Sequence, residues 1–423
     1  MKPYLRTAAC VAAGFAFSQS LMAQSAQSAG SPAPAMPAAG VIPSEFKDPD
    51  TGARMLYLFN NPKSPSGVIY FTQACITPDS RYALVRELVP AAGHTAGRLY
   101  RYDFKTGSLV RITDQMTKNQ VMVAKSGNVY FTSDNDRAIY ATNLLDLKTR
   151  KVADMPANII CSGGLTVNAD ETTVVGTGTL ASEHKNEPTL TTAPNQGPAF
   201  GDTFARHDTN LLIAADIKTG KFTELHRINT WLGHTQFSPT DPNLLMYCHE
   251  GPWAQVDRIW TLRIGADPKP TPELVLKRTE VNEIAGHEFW STDGSTVWYD
   301  HNFRNTPTKH YLEGKNLSTG AITRYPITAP FGSIHYTQSP DGKFFVCDGG
   351  TNKAHPDQQA MYILIPGDGK LQPIKLCNMA HNNYTDAEPN PHLTPDQHWV
   401  LFTATFSGLP QAYAVEMPKQ FWR

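Results

Sequence analysis

Four segments of the chain place a histidine or an asparagine at the same distance from a turn, and these residue types suit proton transfer and metal binding. His234, His287, His335 and Asn390 each lie four residues before the serine or threonine that opens a turn. Strand side chains alternate with a period of two, so residues in the same register of repeated strands point the same way. If the repeats close into a ring, these four side chains converge on its centre and form a site.

The last two of these segments offer ligands for a divalent metal ion. His335 and His392 provide imidazole nitrogens, Asn390 provides an amide oxygen, and Glu388 lies on the same strand face by parity. Imidazole together with carboxylate or amide oxygen suits a first-row divalent ion such as Mn²⁺. The alternative is a wet channel lined by polar side chains that bind no metal.

Two further residues suit catalysis on an acidic substrate. A neutral imidazole titrates near the working pH, which makes His287 a candidate general base. A guanidinium binds a carboxylate through two parallel hydrogen bonds, so Arg258 is a candidate for holding an acidic group. The alternatives are a structural histidine hydrogen-bonded within the channel and, for Arg258, a blade-edge ion pair with Asp257 or Glu250.

Long loops are predicted to share one end of the channel with the ring positions, and they supply candidate substrate-binding residues. His249 begins one such loop, and Arg304 lies in another. His234, the first of the four register positions, is the third candidate. Convergent polar groups at the mouth of a ring are typical of a binding site.

Internal repeats must position these residues, and they predict the fold. A unit of strand, turn, strand, variable loop, strand, Asp-x-Lys-Thr-Gly-type turn and strand recurs along the chain. The units fall near residues 66–115, 118–156, 160–229, 233–280, 285–328, 332–377 and 386–418. Seven four-stranded sheets arranged in a ring form an all-β, seven-bladed β-propeller. The alternatives are an open array of sheets or a β-sandwich. Segment 41–62 is expected to add an outer strand to the last blade and so to close the ring.

The N-terminus predicts export. Lys2 and Arg6 precede an apolar stretch and small residues, which is typical of a secretory signal peptide over residues 1–23. Residues 24–40 read as a disordered leader and 41–423 as the propeller domain. The interrupted apolar run predicts no transmembrane span, and a periplasmic location is expected. A net charge of −1 gives no reason to expect nucleic acid as a partner.

From about residue 44 to the C-terminus, the chain resembles the oligogalacturonate lyases, polysaccharide lyases built on a seven-bladed propeller. The motifs that carry the resemblance are Ser44-Glu-Phe-Lys-Asp-Pro-Asp-Thr-Gly52, Tyr70-Phe-Thr-Gln73, Trp231-Leu-Gly-His234, Cys248-His-Glu-Gly-Pro-Trp253, Val256-Asp-Arg-Ile-Trp260, His287-Glu-Phe-Trp290 and Asn390-Pro-His392. The Cys-His-Glu-Gly-Pro-Trp and His-Glu-Phe-Trp motifs are fairly specific, whereas the turns are common to propellers.

The resemblance implies β-elimination on short oligomers of galacturonic acid, in pectin breakdown, with Mn²⁺ as the metal. It implies that His287 takes the C5 proton, while Arg258 and the metal neutralise the adjacent carboxylate. It also implies that His335 and His392 are metal ligands. Some family members have a histidine at the position of Asn390 and a glutamine at that of Ala387, so the ligand set differs here.

Two other functions remain open at this point. One is a non-catalytic periplasmic propeller, similar to that of the TolB translocation protein, that binds protein or glycan. The other is a lyase or hydrolase for a different acidic glycan. A binding scaffold has no need for three histidines in one register, which favours the enzyme acting on an acidic oligosaccharide.

Overall fold

The structure is a computed structural model. It describes residues 44–423 except 60, 62, 92–93, 134–135, 183–207, 252–254, 266–270, 304–305, 307, 329–331 and 350–358. The predicted signal peptide and leader, and Arg304, lie outside the described residues. The described part contains 29 strands and one short 3-10 helix, Lys419–Phe421. Within it, no helix has the length and apolarity needed to cross a bilayer.

The strands form seven blades; blades 1 to 6 are each built from strands that follow one another in the chain, and blade 7 combines strands from both ends of it. Blades 1 and 2, each from the innermost strand outward, consist of β3 (Ser66–Gly67), β4 (Tyr82–Ala91), β5 (His94–Asp103) and β6 (Leu109–Arg111), then β7 (Thr117–Val123), β8 (Asn128–Ser133), β9 (Ala138–Asn143) and β10 (Thr149–Asp154). Blades 3 and 4 consist of β11 (Ile159–Val167), β12 (Thr173–Leu180), β13 (Asn210–Asp216) and β14 (Phe222–Ile228), then β15 (Leu232–Phe237), β16 (Leu244–His249), β17 (Ile259–Arg263) and β18 (Pro272–Leu274).

Blades 5 to 7 continue the same pattern. Blades 5 and 6 consist of β19 (Glu283–Trp290), β20 (Thr296–Phe303), β21 (His310–Asn316) and β22 (Ile322–Pro326), then β23 (Tyr336–Gln338), β24 (Phe345–Cys347), β25 (Ala360–Gly367) and β26 (Lys370–Asn378). Blade 7 consists of β27 (His392–Leu393), β28 (Trp399–Ala404), β29 (Gln411–Glu416), β2 (Arg54–Tyr57) and β1 (Glu45–Lys47). The predicted seven-bladed β-propeller is therefore confirmed.

The N-terminal part of the described chain closes the ring. β2 pairs antiparallel with β29, with Met55 opposite Val415 and Leu56 opposite Ala414. This confirms that segment 41–62 supplies an outer strand to the last blade. A second strand, β1, pairs with β2 outside it. The blade thus joins both ends of the described chain, so β29 is not left as an open sheet edge.

Short polar turns give the inner hairpins their shape. In four blades, a hydroxyl donates to the aspartate two residues later over 2.6–2.8 Å: Thr77 to Asp79, Ser291 to Asp293, Ser339 to Asp341 and Thr394 to Asp396. The residue after each aspartate has a left-handed backbone: Ser80, Gly294, Gly342 and Gln397. Such turns fix the strand register, and with it the position of residues upstream in the innermost strand.

The apolar core lies between neighbouring blades. In β16, Leu245 and Tyr247 pack with residues of blade 3, whereas Met246 packs with residues of blade 5. The alternation follows from the period of two in a strand whose faces are both buried. Each blade therefore stabilises its neighbours, and the innermost strands are held rigidly around the central channel.

Residues 68–73, here termed the crossing segment, differ from the expectation. The first predicted unit opens with a strand near residue 66, but that strand, β3, ends at Gly67. The segment instead contacts residues from several other blades, including Thr403 of blade 7, Leu165 of blade 3 and Phe289 of blade 5. It therefore lies across the channel.

Candidate active site

Local backbone geometry sets the direction of the ring side chains. His234, His287 and Asn390 have φ values of 48°, 51° and 49°. The strand pairing shifts register at this point in blades 4 and 5, between Gly233 and Gln236 and between Gly286 and Phe289. A left-handed backbone is uncommon outside glycine but enriched in histidine and asparagine. A bulge of this kind re-aims a side chain, here towards the channel.

The four register positions, termed the ring (His234, His287, His335 and Asn390), do converge. The imidazole rings of His287 and His335 lie 5.0 Å apart. Tyr70 of the crossing segment lies 5.2 Å from the ring of His234 and 5.9 Å from that of His335. Asn390 Oδ1 accepts a hydrogen bond of 3.2 Å from the backbone N–H of Phe71, also in that segment.

Each ring histidine is paired with a carboxylate that lies on or just after the second strand of its own blade. The pairs are His234 Nε2–Glu250 Oε1 at 2.8 Å, His287 Nδ1–Asp300 Oδ2 at 3.4 Å and His335 Nδ1–Asp348 Oδ2 at 2.6 Å. A carboxylate on one ring nitrogen fixes the tautomer and orients the other nitrogen. In His287 and His335, the oriented atom is Nε2.

His287 has the properties of a general base. Burial lowers its pKa below the ordinary value, although the neighbouring carboxylate of Asp300 works in the opposite direction. Asp300 is shared with His310, whose Nε2 lies 2.6 Å from Asp300 Oδ1. Burial would raise the pKa of Asp300, but the charge of His310 and the neighbouring imidazole of His287 hold it below its ordinary value. A neutral imidazole backed by an ionised carboxylate can accept a proton.

Arg258 lies among carboxylates. Its Nη1 and Nη2 donate to Glu250 over 2.8 and 3.1 Å, and its Nε donates to Glu288 over 3.0 Å. The side chain is 3% exposed, and its charge helps to lower the pKa of His287. The alternative of an ion pair with Glu250 thus describes the observed contact, but the pair lies beside the ring rather than at a blade edge.

His335 and Glu388 form an arrangement suited to a metal ion. His335 Nε2 is buried and has no hydrogen-bond partner among the described residues. The carboxylate of Glu388 lies 3.9 Å from it and is 27% exposed. Asp348 holds the opposite nitrogen, as carboxylates commonly do for metal-binding histidines. These residues therefore fit a divalent ion.

The other two predicted ligands are engaged by the crossing segment. His392 Nε2 donates to the carbonyl of Ile69 over 3.0 Å, and burial lowers the pKa of His392 to about 4. Asn390 accepts from Phe71 and donates to the carbonyl of Glu388. In this structure both side chains position residues 68–73, and their role as metal ligands stays a prediction.

A second set of metal-binding atoms involves His234, Cys248 and Glu250, whose ligand atoms lie within 4.8 Å of one another. Burial raises the pKa of the Cys248 thiol well above its ordinary value, which disfavours the thiolate that binds metals. Both oxygens of Glu250 are already bonded to Arg258. The Glu250 carboxylate of this set is therefore neutralised by the Arg258 guanidinium, whereas His335 keeps an available nitrogen.

The structure separates the substrate-binding candidates. His234 belongs to the ring. His249 packs instead on Trp260 and Tyr247, with ring distances of 4.8 and 5.8 Å, and burial lowers its pKa to about 4. Because these contacts lie within blade 4, His249 is not brought together with the ring. The prediction for Arg304 falls outside the described residues.

Several site residues are missing from the sequence-based prediction. They are Tyr70 on the crossing segment, the carboxylates Glu250, Asp300 and Asp348 that hold ring histidines, and Glu288, which holds Arg258. The signal for the three carboxylates of the ring is an acidic residue on or just after the second strand of blades 4, 5 and 6, at 16, 13 and 13 positions after His234, His287 and His335. Tyr70 has no such signal, since its position depends on the end of β3.

The charge balance of the site is informative. The described residues around the ring bring together the five carboxylates Glu250, Glu288, Asp300, Asp348 and Glu388, which still outnumber the guanidinium of Arg258 and the imidazole of His310 that pair with them. Such a site repels an anionic ligand unless a cation is added. The imbalance therefore favours a bound divalent metal if the ligand is acidic.

Comparisons with known proteins identify the family. A sequence profile described as oligogalacturonate lyase matches residues 42–421. The chain is 25% identical over 398 residues to an oligogalacturonide lyase of Pectobacterium atrosepticum, covering 89% of this chain and 96% of that protein. It is 24% identical over 402 residues to an oligogalacturonate lyase of Dickeya dadantii, covering 89% and 97%.

Two solved structures share the fold. One is an oligogalacturonate lyase from Vibrio parahaemolyticus, with a TM-score of 0.74, 24% identity and coverage of 89% of this chain and 97% of that one. The other is an oligogalacturonate lyase in complex with manganese, with a TM-score of 0.74, 23% identity and coverage of 90% and 97%.

Proposed function

The chain belongs to the oligogalacturonate lyase family, and we propose on this premise that it cleaves short oligogalacturonides by β-elimination. The observation that carries this proposal is the buried His287–Asp300 pair, which lies beside His335 in a ring that also borders Arg258. The arrangement provides a base next to positive charge, as removal of a proton adjacent to a carboxylate requires.

In this proposal His287 Nε2 accepts the C5 proton of the uronate. The C5 proton is very weakly acidic, so the developing negative charge on the carboxylate must be stabilised in the transition state. Arg258 contributes a fixed positive charge in a buried environment, where electrostatic interactions are strong. Asp300 keeps the imidazole oriented and stabilises the imidazolium that forms.

We propose that the cofactor is a divalent metal ion, with Mn²⁺ as the expected ion, and that His335 Nε2 and Glu388 hold it. A bound divalent ion supplies positive charge to the substrate carboxylate as its neighbouring carbon loses a proton. Support comes from the available nitrogen of His335 and the excess of carboxylates around the ring. His392 and Asn390 would join the ligand set only by releasing Ile69 and Phe71.

Product analysis tests the reaction. Purified protein is incubated with digalacturonate and Mn²⁺, and the products are identified by mass spectrometry. Elimination leaves the combined mass of the two products equal to that of the substrate, whereas hydrolysis adds one water. An unsaturated monouronide is expected, and a hydrated product pair would contradict elimination.

We further propose that the protein is exported to the periplasm after removal of residues 1–23. The support is the basic, apolar and small-residue order of the first 23 residues. N-terminal sequencing of the mature protein from a periplasmic fraction should begin at Gln24. Recovery of the intact N-terminus from the cytoplasmic fraction would contradict export.

A further inference from the structure

We propose that Tyr70 is the proton donor to the departing O4 in the elimination, an inference that rests on the proposed function. Elimination needs a second proton transfer besides the one to the base. In galacturonate, H5 and O4 lie on opposite faces of the sugar ring, so one side chain is poorly placed to serve both. The structure holds a hydroxyl-bearing residue, Tyr70, at the ring.

Tyr70 and His287 both contact the imidazole of His335. The ring of His335 is 5.9 Å from that of Tyr70 and 5.0 Å from that of His287. Tyr70 is half-buried, and its ring also lies 5.2 Å from that of His234. Its hydroxyl lies within electrostatic reach of Glu288, Glu388 and Arg258. A sugar bound against His335 therefore meets both groups.

The residues on either side of Tyr70 in the crossing segment are held by hydrogen bonds. The carbonyl of Ile69 accepts from His392, and the N–H of Phe71 donates to Asn390. The backbone N–H of Gln73 donates to the carbonyl of Tyr70 over 2.8 Å. Two of these anchors come from blade 7, where the sequence had suggested metal ligands. A residue held on both sides by hydrogen bonds keeps the precise geometry that proton transfer needs.

The chemistry balances with two residues. His287 takes the proton from C5, and the electron pair of the C5–H bond forms the C4=C5 double bond. The C4–O4 bond breaks, O4 keeps its electron pair, and the Tyr70 hydroxyl gives it a proton. A phenol is protonated at neutral pH. The tyrosinate then regains a proton from water, and His287 loses its proton to water.

The test is Tyr70→Phe, with Tyr57→Phe in β2 as the matched control because Tyr57 is also a tyrosine but lies in blade 7 on Tyr413. On digalacturonate, Tyr70→Phe should lower kcat by about 10²–10⁴-fold, while calorimetry should show nearly unchanged digalacturonate and Mn²⁺ binding. A galacturonide that carries a 4-nitrophenoxy group at C4 loses 4-nitrophenoxide, which departs without needing a proton. On this substrate the variant should therefore approach the wild-type rate. Tyr57→Phe should match the wild type on both.

The outcomes separate this inference from the proposed function. A wild-type protein that releases no unsaturated product contradicts the proposed function itself. An active wild type with an equally active Tyr70→Phe variant overturns only the role of Tyr70. An equal loss on both substrates, or a loss of digalacturonate binding as large as the loss of kcat, overturns it as well, because Tyr70 would then only position the sugar.

Discussion

At the scale of single residues, the site depends on pairs rather than on isolated side chains. Each ring histidine has a carboxylate partner, and Arg258 is held by Glu250 and Glu288. A buried charge is tolerated because it is paired and hydrogen-bonded. Removing one member of a pair should therefore affect the chemistry and the stability together.

Arg258→Lys should be harmful although it keeps the charge. Lysine cannot reproduce three directed bonds to two carboxylates, so at least one buried acceptor is left unpaired, which costs about 1–3 kcal/mol. Turnover should fall as well, because the positive charge beside His287 moves. Denaturant unfolding and elimination rates measure both effects.

Arg263→Lys is the matched control for this prediction. Arg263 is 54% exposed and pairs with Asp241 at 2.7 Å in the same blade. An exposed pair contributes little, so the control should stay within about 0.5 kcal/mol of the wild type. Equal behaviour of the two variants would show that the buried bonds of Arg258 contribute nothing.

Asp348→Asn should weaken metal binding without changing a metal ligand. Asp348 holds His335 Nδ1, and Ser333 donates to the same carboxylate. Loss of such a supporting partner typically lowers metal affinity by about 10–100-fold. Electron paramagnetic resonance of free and bound Mn²⁺ measures the affinity directly.

Asp341→Asn controls for the loss of a carboxylate in the same blade. Asp341 lies in the turn after β23 and accepts from Ser339. Its replacement should leave Mn²⁺ affinity unchanged. If Asp348→Asn binds Mn²⁺ as tightly as this control, the metal is not held through His335.

At the scale of elements, the innermost and the second strands of a blade each supply one member of a histidine–carboxylate pair. The bulge in the innermost strand turns a side chain towards the channel, and the neighbouring second strand supplies its carboxylate. Blade 5 carries a further buried network behind the ring, in which His301 lies 3.0 Å from both Glu283 and Glu313. Glu313 also accepts from Tyr299 and Arg324.

The network predicts acid sensitivity of blade 5. Burial would raise the pKa of Glu313, but bonds from His301 and Arg324 lower it to about 2. A folded-state pKa below the unfolded value of about 4.3 contributes stability above that value, and this stability is lost as the pH falls towards 2. Thermal melts should show that Glu313→Gln is less stable at neutral pH and loses less stability on acidification.

Glu280→Gln provides the comparison. Glu280 is 56% exposed in the loop before β19 and lies 3.7 Å from Lys309. Its replacement should leave the pH dependence of the melting temperature unchanged. A wild-type slope in Glu313→Gln would show that this network does not contribute to acid sensitivity.

At the scale of the whole molecule, repeated turns allowed the seven blades and the closing strand to be predicted from the sequence, because hydroxyl–aspartate turns and alternating apolar residues are local signals. The convergence of the ring was predicted for the same reason. The carboxylate partners and Tyr70 were not, because they depend on pairing between strands and on β3 ending at Gly67. His249 was assigned to the channel from its loop alone, whereas it packs on Trp260.

The whole assembly brings together the base, the charges and the crossing segment from blades that are distant in sequence. The central claim is that this arrangement removes a proton from C5 of a uronate through His287. The most direct measurement is the ultraviolet absorbance of the conjugated C4–C5 double bond during incubation with digalacturonate and Mn²⁺, for the wild type and His287→Gln side by side. The wild type should give a steady rise, and the folded variant a rate at least about 100-fold lower, with Mn²⁺ binding retained. A His287→Gln variant that produces the double bond at the wild-type rate would contradict the account.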